Sequence, residues 1–254
     1  MRLMISLHNG DCLEVMRGIA DGSVDAIITD PPYYSTNLHF DKSDRIDFDL
    51  WLKECQRILK PTGILIAFAD FNLLADLRQK SPFKSTYELI WEKTMPQGVL
   101  DANCRPLRNH EFIGIFTDAF KASTYNPQKW DSGIKQETKG GSKQAHYSGT
   151  KRTAYKSDGE RHPLSVLKFS NGNNGSLHPT QKPLDLVSWL MRTYSNEGDL
   201  IFDPFMGSGT TGHAASLLNR RFIGCELDNA YYSIAKARIE NAQHDLVNYF
   251  GEVA

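Results

Sequence analysis

Short apolar runs alternate with amphipathic segments along most of the chain. Apolar, β-branched runs predict strands over residues 3–7, 24–29, 63–68, 87–91, 111–117, 199–203 and 222–226. Apolar positions at helical spacing predict helices over residues 12–19, 49–59, 72–79, 186–194, 213–219 and 230–242. Strands that alternate with helices favour the α/β class, with a mostly parallel sheet. The strands at 87–91 and 111–117 could pair antiparallel, because the segment between them shows little helical pattern.

The pattern breaks between residues 119 and 176, where lysine and arginine outnumber the acidic residues and apolar periodicity disappears. Tyrosine and tryptophan are interleaved with these bases. Such a segment can follow a phosphate backbone and stack on nucleobases, although a flexible, solvated insertion would have the same composition. We therefore expect three parts: residues 1–118, a basic insertion over 119–176, and residues 177–254.

Composition and charge limit the class of protein. The 254 residues suit one large α/β domain or a domain with an insertion. Formal charge is only -1 at pH 7, so a local basic patch would have to hold any nucleic acid. The four cysteines are scattered and no histidines cluster with them, which favours a reduced, cytoplasmic protein without a metal site. No apolar run approaches the roughly 20 residues that a membrane span needs.

The most informative stretch is Asp30-Pro31-Pro32-Tyr33, which directly follows the strand predicted over 24–29. Proline has no N–H for the ladder of a central strand, so the chain has to leave the sheet at Asp30. Ligands bind beyond the carboxyl ends of strands in an open α/β sheet. Asp30 and the Pro31 carbonyl could each accept one hydrogen of an exocyclic amine, while Tyr33 stacks on the ring. The simpler alternative is a tight proline turn with a half-buried tyrosine.

Residues 199–212 repeat this arrangement, with an apolar strand, an Asp203-Pro204 corner and a glycine-rich loop. Glycines let the backbone approach a ligand closely, and the helix that follows points its N-terminus at the ligand. Glu226 ends the next strand nineteen residues after Gly207, close to the spacing of an acid that binds ribose hydroxyls. Asp11 follows the first strand and should lie at the same edge, where a helix N-cap role suits it equally well.

The glycines of this loop also satisfy the G-x-G-x-x-G pattern of nicotinamide-dinucleotide enzymes. A dinucleotide fold, however, starts with this unit and continues through several more strands, whereas fewer than thirty residues follow Glu226. The missing strands must be those near the N-terminus, so the start of the chain has to close the sheet beside its end. That topology brings the Asp30 and Asp203 loops together, which fits group transfer between two ligands better than hydride transfer.

With its two Asp-Pro corners in this order, the chain resembles the amino-DNA methyltransferases that use S-adenosyl-L-methionine, in the permuted form where the catalytic motif precedes the cofactor motif. Asp30-Pro31-Pro32-Tyr33 and the stretch Asp-Pro-Phe-x-Gly-Ser-Gly-Thr-Thr over 203–211 carry the resemblance, which covers about residues 5–117 and 175–242. It implies a three-layer α/β/α sandwich with a circularly permuted, Rossmann-like sheet. It also implies direct methyl transfer to a base that has left the DNA stack.

By this resemblance, Asp30, Pro31, Pro32 and Tyr33 hold and activate the target amine. Glu226 takes the ribose hydroxyls of the cofactor, and Asp11 takes its adenine amino group. The other residues expected at the cofactor are Asp30, His178, Thr180, Lys182, Asp203, Pro204, Phe205, Gly207, Ser208, Gly209, Thr210 and Thr211. Of these, Thr180 and Lys182 are expected near the methionine carboxylate.

Adenine N6 is the expected target, because cytosine-N4 members of this family more often have serine in the place of Asp30; cytosine N4 is the alternative. The family's target-recognition segment falls where the basic insertion lies, so double-stranded DNA is the expected partner. The residues expected to contact DNA are Arg105, Arg108, Lys139, Lys143, Lys151 and Arg152. A homodimer and a cognate restriction endonuclease are partners that the resemblance leaves open.

Other residues have structural explanations as well. His110 and Glu111 stand at the start of a predicted strand, which favours a structural role for both. Arg105 and Arg108 could equally be solvated, and Phe205 could belong to the core. A non-catalytic DNA-binding module of the same fold would retain the basic insertion but would not need Asp30, so the presence of that aspartate argues for an enzyme.

Overall fold

The computed structural model describes residues 4–34, 46–138, 155–171 and 181–251. In chain order its strands are β1 Ile5–Asn9, β2 Val24–Thr29, β3 Leu59–Ala69, β4 Ser85–Gln97, β5 Arg108–Thr117, β6 Trp130–Asp131, β7 Gln136–Thr138, β8 Tyr155–Ser157, β9 Glu160–Arg161, β10 Val166–Phe169, β11 Leu200–Asp203 and β12 Arg221–Glu226. The helices are α1 Cys12–Arg17, α2 Phe48–Ile58, α3 Phe71–Lys80, α4 Leu184–Tyr194, α5 Thr210–Leu217 and α6 Asn229–Gly251, and a short 3-10 helix spans Val99–Asp101.

The described residues contain one eight-stranded sheet in the order β1-β12-β11-β2-β3-β5-β4-β10. The first strand of the chain pairs in parallel with the last, with Ile5 opposite Phe222, and β11 pairs in parallel with β2, with Phe202 opposite Ile27. Only β5 runs against its neighbours β3 and β4. The prediction that the start of the chain closes the sheet is therefore confirmed, as is the antiparallel pairing of β4 with β5.

Helices cover both faces of this sheet, so the predicted three-layer α/β/α architecture is confirmed. Successive side chains of a strand point to opposite faces, and β2 shows this directly. Ile27 packs into a core with helices α1 to α3, whereas Ala26 and Ile28 pack into a second core with helices α4 to α6. Strands that bury both faces are continuously apolar, as in the parallel α/β proteins.

Several element boundaries differ from the sequence prediction; β4, for example, spans Ser85–Gln97 rather than 87–91, and α6 spans Asn229–Gly251 rather than 230–242. Two of the differences have a local physical cause. Residues 60–63 were expected to separate α2 from the next strand, but β3 starts at Leu59, immediately after the helix. The pairing of β2 with β3 is irregular there, since Val24 faces Leu59 while Ala26 already faces Ile64. Pro61 lies in the part of β3 that this irregular pairing skips, so its missing N–H removes no hydrogen bond between the two strands.

The second difference concerns the helix that follows the glycine-rich loop. It was predicted to start at His213 but starts at Thr210, directly after Gly209 in the left-handed conformation. Because two threonines have low helix propensity, the pattern did not include them in the helix.

Residues 127–164 form a separate compact unit from the rest of the chain. In its described part, β6 pairs with β9 and β7 pairs with β8, both antiparallel. These short pairs, and the four-residue edge strand β10 that follows, were not predicted, because strands of two to four residues are too short for an alternating pattern. The boundaries of the basic insertion at 119 and 176 stay a prediction. Among the described helices, none is long and apolar enough to cross a membrane.

Candidate active site

Four neighbouring strands bring four predicted acids to one edge of the sheet. The strands β1, β12, β11 and β2 lie side by side and parallel, and the acids stand at or just beyond their carboxyl ends. In that order they are Asp11, Glu226, Asp203 and Asp30. Carboxylates that are far apart in sequence therefore share the edge at which open α/β sheets bind ligands.

The two Asp-Pro corners are joined by a buried hydrogen bond. The hydroxyl of Thr29, the last residue of β2, donates to Asp203 Oδ1 at 2.7 Å, and the Phe205 amide donates to the same oxygen at 3.1 Å. Because Thr29 directly precedes Asp30, this bond holds one corner against the other. Burial raises the pKa of Asp203 to about 7, although hydrogen bonds from Thr211 and Thr29 oppose the shift.

This pKa predicts how stability depends on pH. Asp203 has an ordinary pKa of 3.8, so between about pH 4 and 7 the folded protein holds a proton that the unfolded chain has lost. Stability therefore falls as pH rises through that window. Relative to Asp203→Asn, the wild-type free energy of unfolding should fall by roughly 2–3 kcal/mol between pH 5 and pH 7. Urea unfolding of both proteins across this range measures it, and a constant difference would show that Asp203 stays ionised.

Asp30 lies partly buried between a tyrosine and a lysine. The Tyr33 hydroxyl donates to Asp30 Oδ1 at 2.8 Å, and Lys182 Nζ donates to Oδ2 at 2.6 Å. The Lys182 ammonium also lies over the Tyr33 ring, 5.5 Å from its centroid. Burial raises the pKa of Asp30, although the attraction of Lys182 opposes this. The pKa of Lys182 is raised despite burial, because Asp30 and Glu111 attract its charge.

Glu111 and Lys93 extend this charged group into the core, a feature that sequence reasoning missed. Lys93 Nζ donates to Glu111 Oε1 at 2.5 Å, and Lys182 Nζ lies 3.4 Å from Glu111 Oε2. Burial tends to raise the pKa of Glu111, but the two lysines outweigh it and lower the pKa. No local signal marks this pair, because Lys93 stands between Glu92 and Thr94, and Glu111 follows three polar residues.

The glycine-rich loop is held from two sides. Glu226 Oε2 accepts the Gly207 amide at 2.9 Å and its Oε1 accepts the Asp228 amide at 2.8 Å, while burial raises the pKa of Glu226. On the other side, Arg238 of α6 donates to the Thr210 hydroxyl at 3.0 Å and to the Ser208 carbonyl at 3.3 Å. Arg238 was not recognised in the sequence, because a charge on a helix usually faces solvent.

The remaining described cofactor candidates occupy this edge in different ways. Asp11 caps α1, with Oδ1 accepting the Leu13 and Glu14 amides, so the N-cap explanation holds for one of its oxygens. Phe205 packs on Trp51 with ring centroids 5.8 Å apart, and so belongs partly to the core. The side chains or backbones of Pro31, Pro204, Ser208, Gly209, Thr210 and Thr211 are buried, and those of Pro32 and Gly207 are partly buried.

Several predicted residues lie outside the described parts of the chain: His178, Thr180, Lys139, Lys143, Lys151 and Arg152. The two described DNA-contact candidates, Arg105 and Arg108, are exposed. Arg105 pairs with Asp101 one helical turn earlier, and Arg108 begins β5. Because β5 runs against β3, its first residues lie at the same sheet edge as the acids. The described residues contain no group of three or more histidine, cysteine or acidic side chains placed to hold a metal ion.

The sequence of the chain is similar to those of known proteins. Residues 24–237 match the N6/N4 family model described as DNA methylase. The chain is 30% identical to the type II methyltransferase M.BglII of Bacillus subtilis, with 90% of this chain and 67% of that protein covered. It is also 30% identical to the type II methyltransferase M.HpaI of Haemophilus parainfluenzae, with coverages of 91% and 73%.

Solved structures show the same similarity. The crystal structure of the M1.HpyAVI–SAM complex superposes with a TM-score of 0.64 at 26% identity, covering 92% of this chain and all of that one. The cytosine-N4-specific PvuII DNA methyltransferase superposes with a TM-score of 0.64 over 96% of this chain and 93% of that one. At 17% identity, this second similarity establishes a shared fold alone.

Proposed function

The chain belongs to the N6/N4 DNA methylase family, and from that premise we propose that it methylates the N6 amino group of adenine in duplex DNA. It is a DNA methyltransferase that uses S-adenosyl-L-methionine. The observation that carries the proposal is the Thr29–Asp203 hydrogen bond, which holds the Asp30 corner beside the glycine-rich loop. A base on one corner would then face a methyl donor on the other.

The acids at this edge suit the chemistry of the cofactor. S-adenosyl-L-methionine carries positive charge on its sulfonium and ammonium groups and offers ribose hydroxyls and an adenine amine as donors. Four carboxylates on adjacent strand ends match such a ligand. We assign Glu226 to the ribose hydroxyls, Asp11 to the adenine amine and the loop from Asp203 to Thr211 to the methionine part. Gly207 supports this assignment, since a Cβ added there would have no other part of the protein within 4 Å, apart from its own chain neighbours, which leaves open space beside the loop.

Asp30 and the Pro31 carbonyl are the proposed catalytic groups. An exocyclic amine is a poor nucleophile because its lone pair is delocalised into the ring. Two acceptors for its two N–H bonds would localise that lone pair and direct it at the methyl group. Their hydrogen bonds strengthen as positive charge develops on nitrogen, so they stabilise the transition state more than the ground state. When bound, the cofactor would supply an electrophilic methyl group: the amine lone pair forms the new N–C bond while the C–S bond breaks with its electron pair on sulfur. The methylated nitrogen then loses one proton through its hydrogen bond to Asp30.

Tyr33 is proposed to stack on the extruded base. Stacking on an aromatic ring stabilises a base by about 1–3 kcal/mol, which offsets much of the cost of leaving the duplex. Tyr33→Ala should therefore lower kcat/KM for DNA by roughly 10- to 100-fold. Tyr33→Phe keeps the ring and loses only the hydroxyl bond to Asp30, so its loss should stay within about fivefold. Steady-state kinetics on unmethylated genomic DNA compare the two variants. Equal losses of kcat/KM would mean that Tyr33 acts through its hydrogen bond to Asp30 and not by stacking on the base.

DNA contacts are proposed for the basic insertion and for the β4–β5 turn. Lysine and arginine there would neutralise backbone phosphates, which supplies affinity and register rather than sequence choice. Arg105, Arg108, Lys139, Lys143, Lys151 and Arg152 stay the proposed contacts. A homodimer and a cognate restriction endonuclease stay proposals as well.

The function is tested by expressing the protein in a host that lacks DNA methylation. Single-molecule sequencing of the genome then reports the modified base together with its sequence context. We expect N6-methyladenine at one short recurrent sequence. N4-methylcytosine would reassign the target within the family, and no modification would contradict the proposed function.

A further inference from the structure

Lys182 lies where the target base was expected. Its ammonium donates to Asp30 Oδ2 at 2.6 Å and lies over the Tyr33 ring, 5.5 Å from the centroid. These are the two groups to which the proposed function assigns the base, one for its amino group and one for its ring. An ammonium and an exocyclic amine are both N–H donors. They therefore compete for the same carboxylate oxygen and the same ring face.

Glu111 provides a second acceptor within reach of the same ammonium. Lys182 Nζ lies 3.4 Å from Glu111 Oε2, which is buried and has no hydrogen-bond partner among the described residues. The other oxygen, Oε1, is held by Lys93. Lys93 thus holds Glu111 through one oxygen. Its Oε2 oxygen, which accepts no hydrogen bond from the described residues, lies beside Lys182. An unsatisfied buried acceptor is unfavourable, so a hydrogen bond from Lys182 to Oε2 would be favoured.

The charge of Lys182 also conflicts with the reaction while it stays on Asp30. Positive charge develops on the attacking nitrogen, and Asp30 stabilises it only if its own charge is not already neutralised. A short shift of the ammonium toward Glu111 would restore that charge. Lysine has a long side chain with rotatable bonds and a compact charge, which suits such a movement.

We propose that Lys182 holds the place of the target amine on Asp30 in the free enzyme and that Glu111 receives its ammonium when the base enters. The inference rests on the proposed function. Glu111 is then a positioning residue, which acts on the reaction through Lys182. The sequence had favoured a merely structural role for Glu111 and a place for Lys182 near the methionine carboxylate of the cofactor.

The test starts with Glu111→Gln, which keeps the shape of the side chain but removes its charge. Its amide oxygen can still accept from Lys93, so Lys182 loses its second acceptor and stays on Asp30. On unmethylated genomic DNA, kcat should fall by about 30-fold, while the Kd of S-adenosyl-L-methionine stays within about threefold of wild type. The matched control is Glu88→Gln, an exposed glutamate of β4 paired with Arg78, which should leave both values unchanged.

The double variant Glu111→Gln/Lys182→Met separates positioning from structure. Without an ammonium to displace, the loss of Glu111 should matter little, so kcat should recover by at least about tenfold over Glu111→Gln alone. A double variant as slow as Glu111→Gln, or slower, would overturn the proposal, because a structural defect is not repaired by removing a second charge.

Lys182→Met alone provides a second test if Glu111→Gln does not fold. The placeholder role predicts a half-saturating concentration of genomic DNA at least about threefold below that of wild type, because the base no longer displaces an ammonium from Asp30. An unchanged or higher half-saturating concentration would contradict that role. A loss of kcat similar to that of an Asp30 variant, or a loss of cofactor affinity above about tenfold, would overturn the proposal. Wild-type protein is assayed in parallel, and absence of its methylation would count against the proposed function instead.

Discussion

Replacing Asp30 with alanine should lower the rate of methyl transfer by at least about 1,000-fold while the Kd of S-adenosyl-L-methionine changes less than about threefold. The Asp30 carboxylate is proposed to accept a hydrogen bond from the target amine. Its negative charge then faces the positive charge that develops on the amine nitrogen. Its removal also takes from Lys182 the shorter of its two ion pairs, so the ammonium keeps the one with Glu111. Single-turnover methylation of unmethylated genomic DNA measures the rate, and isothermal titration calorimetry measures the Kd.

Two companion variants make this result interpretable. Asp30→Asn keeps one acceptor oxygen but loses the charge, so its rate should fall between those of wild type and Asp30→Ala. Asp70 also follows the end of a strand, and it is the N-cap residue of α3. Asp70→Ala should therefore cost about 1 kcal/mol of stability with little change in the rate of methyl transfer. If Asp30→Ala loses cofactor binding together with activity, Asp30 belongs to the cofactor site rather than to the site of the target amine.

Replacing Gly209 with alanine should abolish cofactor binding and lower the free energy of unfolding by about 3–4 kcal/mol. Gly209 adopts the left-handed conformation at a φ of 80°. A Cβ there would lie 2.9 Å from the Cα of Ala235 in α6, and backbone cannot rotate away as a side chain can. The loop or the helix would have to move, and both hold the proposed methionine site. Thermal unfolding with and without S-adenosyl-L-methionine measures the two effects.

Gly198 offers the matched control for this variant. It has nearly the same φ, 81°, but an added Cβ would meet nothing within 4 Å. Gly198→Ala should therefore cost only about 1 kcal/mol from backbone strain and leave cofactor binding intact. Equal losses in the two variants would mean that the close approach of α6 to the loop has no energetic importance.

The pairing of the glycines with α6 was not visible in the sequence. The G-x-G-x-x-G spacing predicted that glycines let the backbone approach a ligand, but two of the three instead let helices and strands approach each other. A Cβ on Gly212 would lie 2.3 Å from Ile239 and 2.7 Å from Phe222. Of the three glycines in this motif, Gly207 alone borders open space. The same spacing serves either purpose, so pattern alone could not separate them.

The central strands were predictable because they bury two faces and so read as continuous apolar runs. The expected closure of the sheet by the start of the chain is observed as the parallel pairing of β1 with β12. Short edge strands such as Val166–Phe169 were not predictable, since four residues carry no usable period. Pro61 is tolerated because the pairing of β3 with β2 is irregular at that point. The local sequence around Pro61 does not show how β3 pairs with its neighbour.

Within the site, the two acidic corners were predictable and their support was not. Asp30 and Asp203 follow apolar strands and precede prolines, so the sequence marks them directly. Thr29 is a threonine at the end of a strand, and only the neighbouring β11 shows that its hydroxyl reaches Asp203. Lys93 and Glu111 are eighteen residues apart and meet because β4 and β5 are antiparallel neighbours. Contacts of this kind depend on which strands pair and in which register.

The central claim is that the cofactor on the Asp203 loop presents its methyl group to the amine site on Asp30. A crystal structure of the protein with S-adenosyl-L-methionine tests it most directly. The account predicts Glu226 on the ribose hydroxyls and the sulfonium methyl pointing toward Asp30, with space for a base nitrogen about 3–3.5 Å from it. A cofactor bound elsewhere, or one whose methyl group points away from Asp30, would contradict the account.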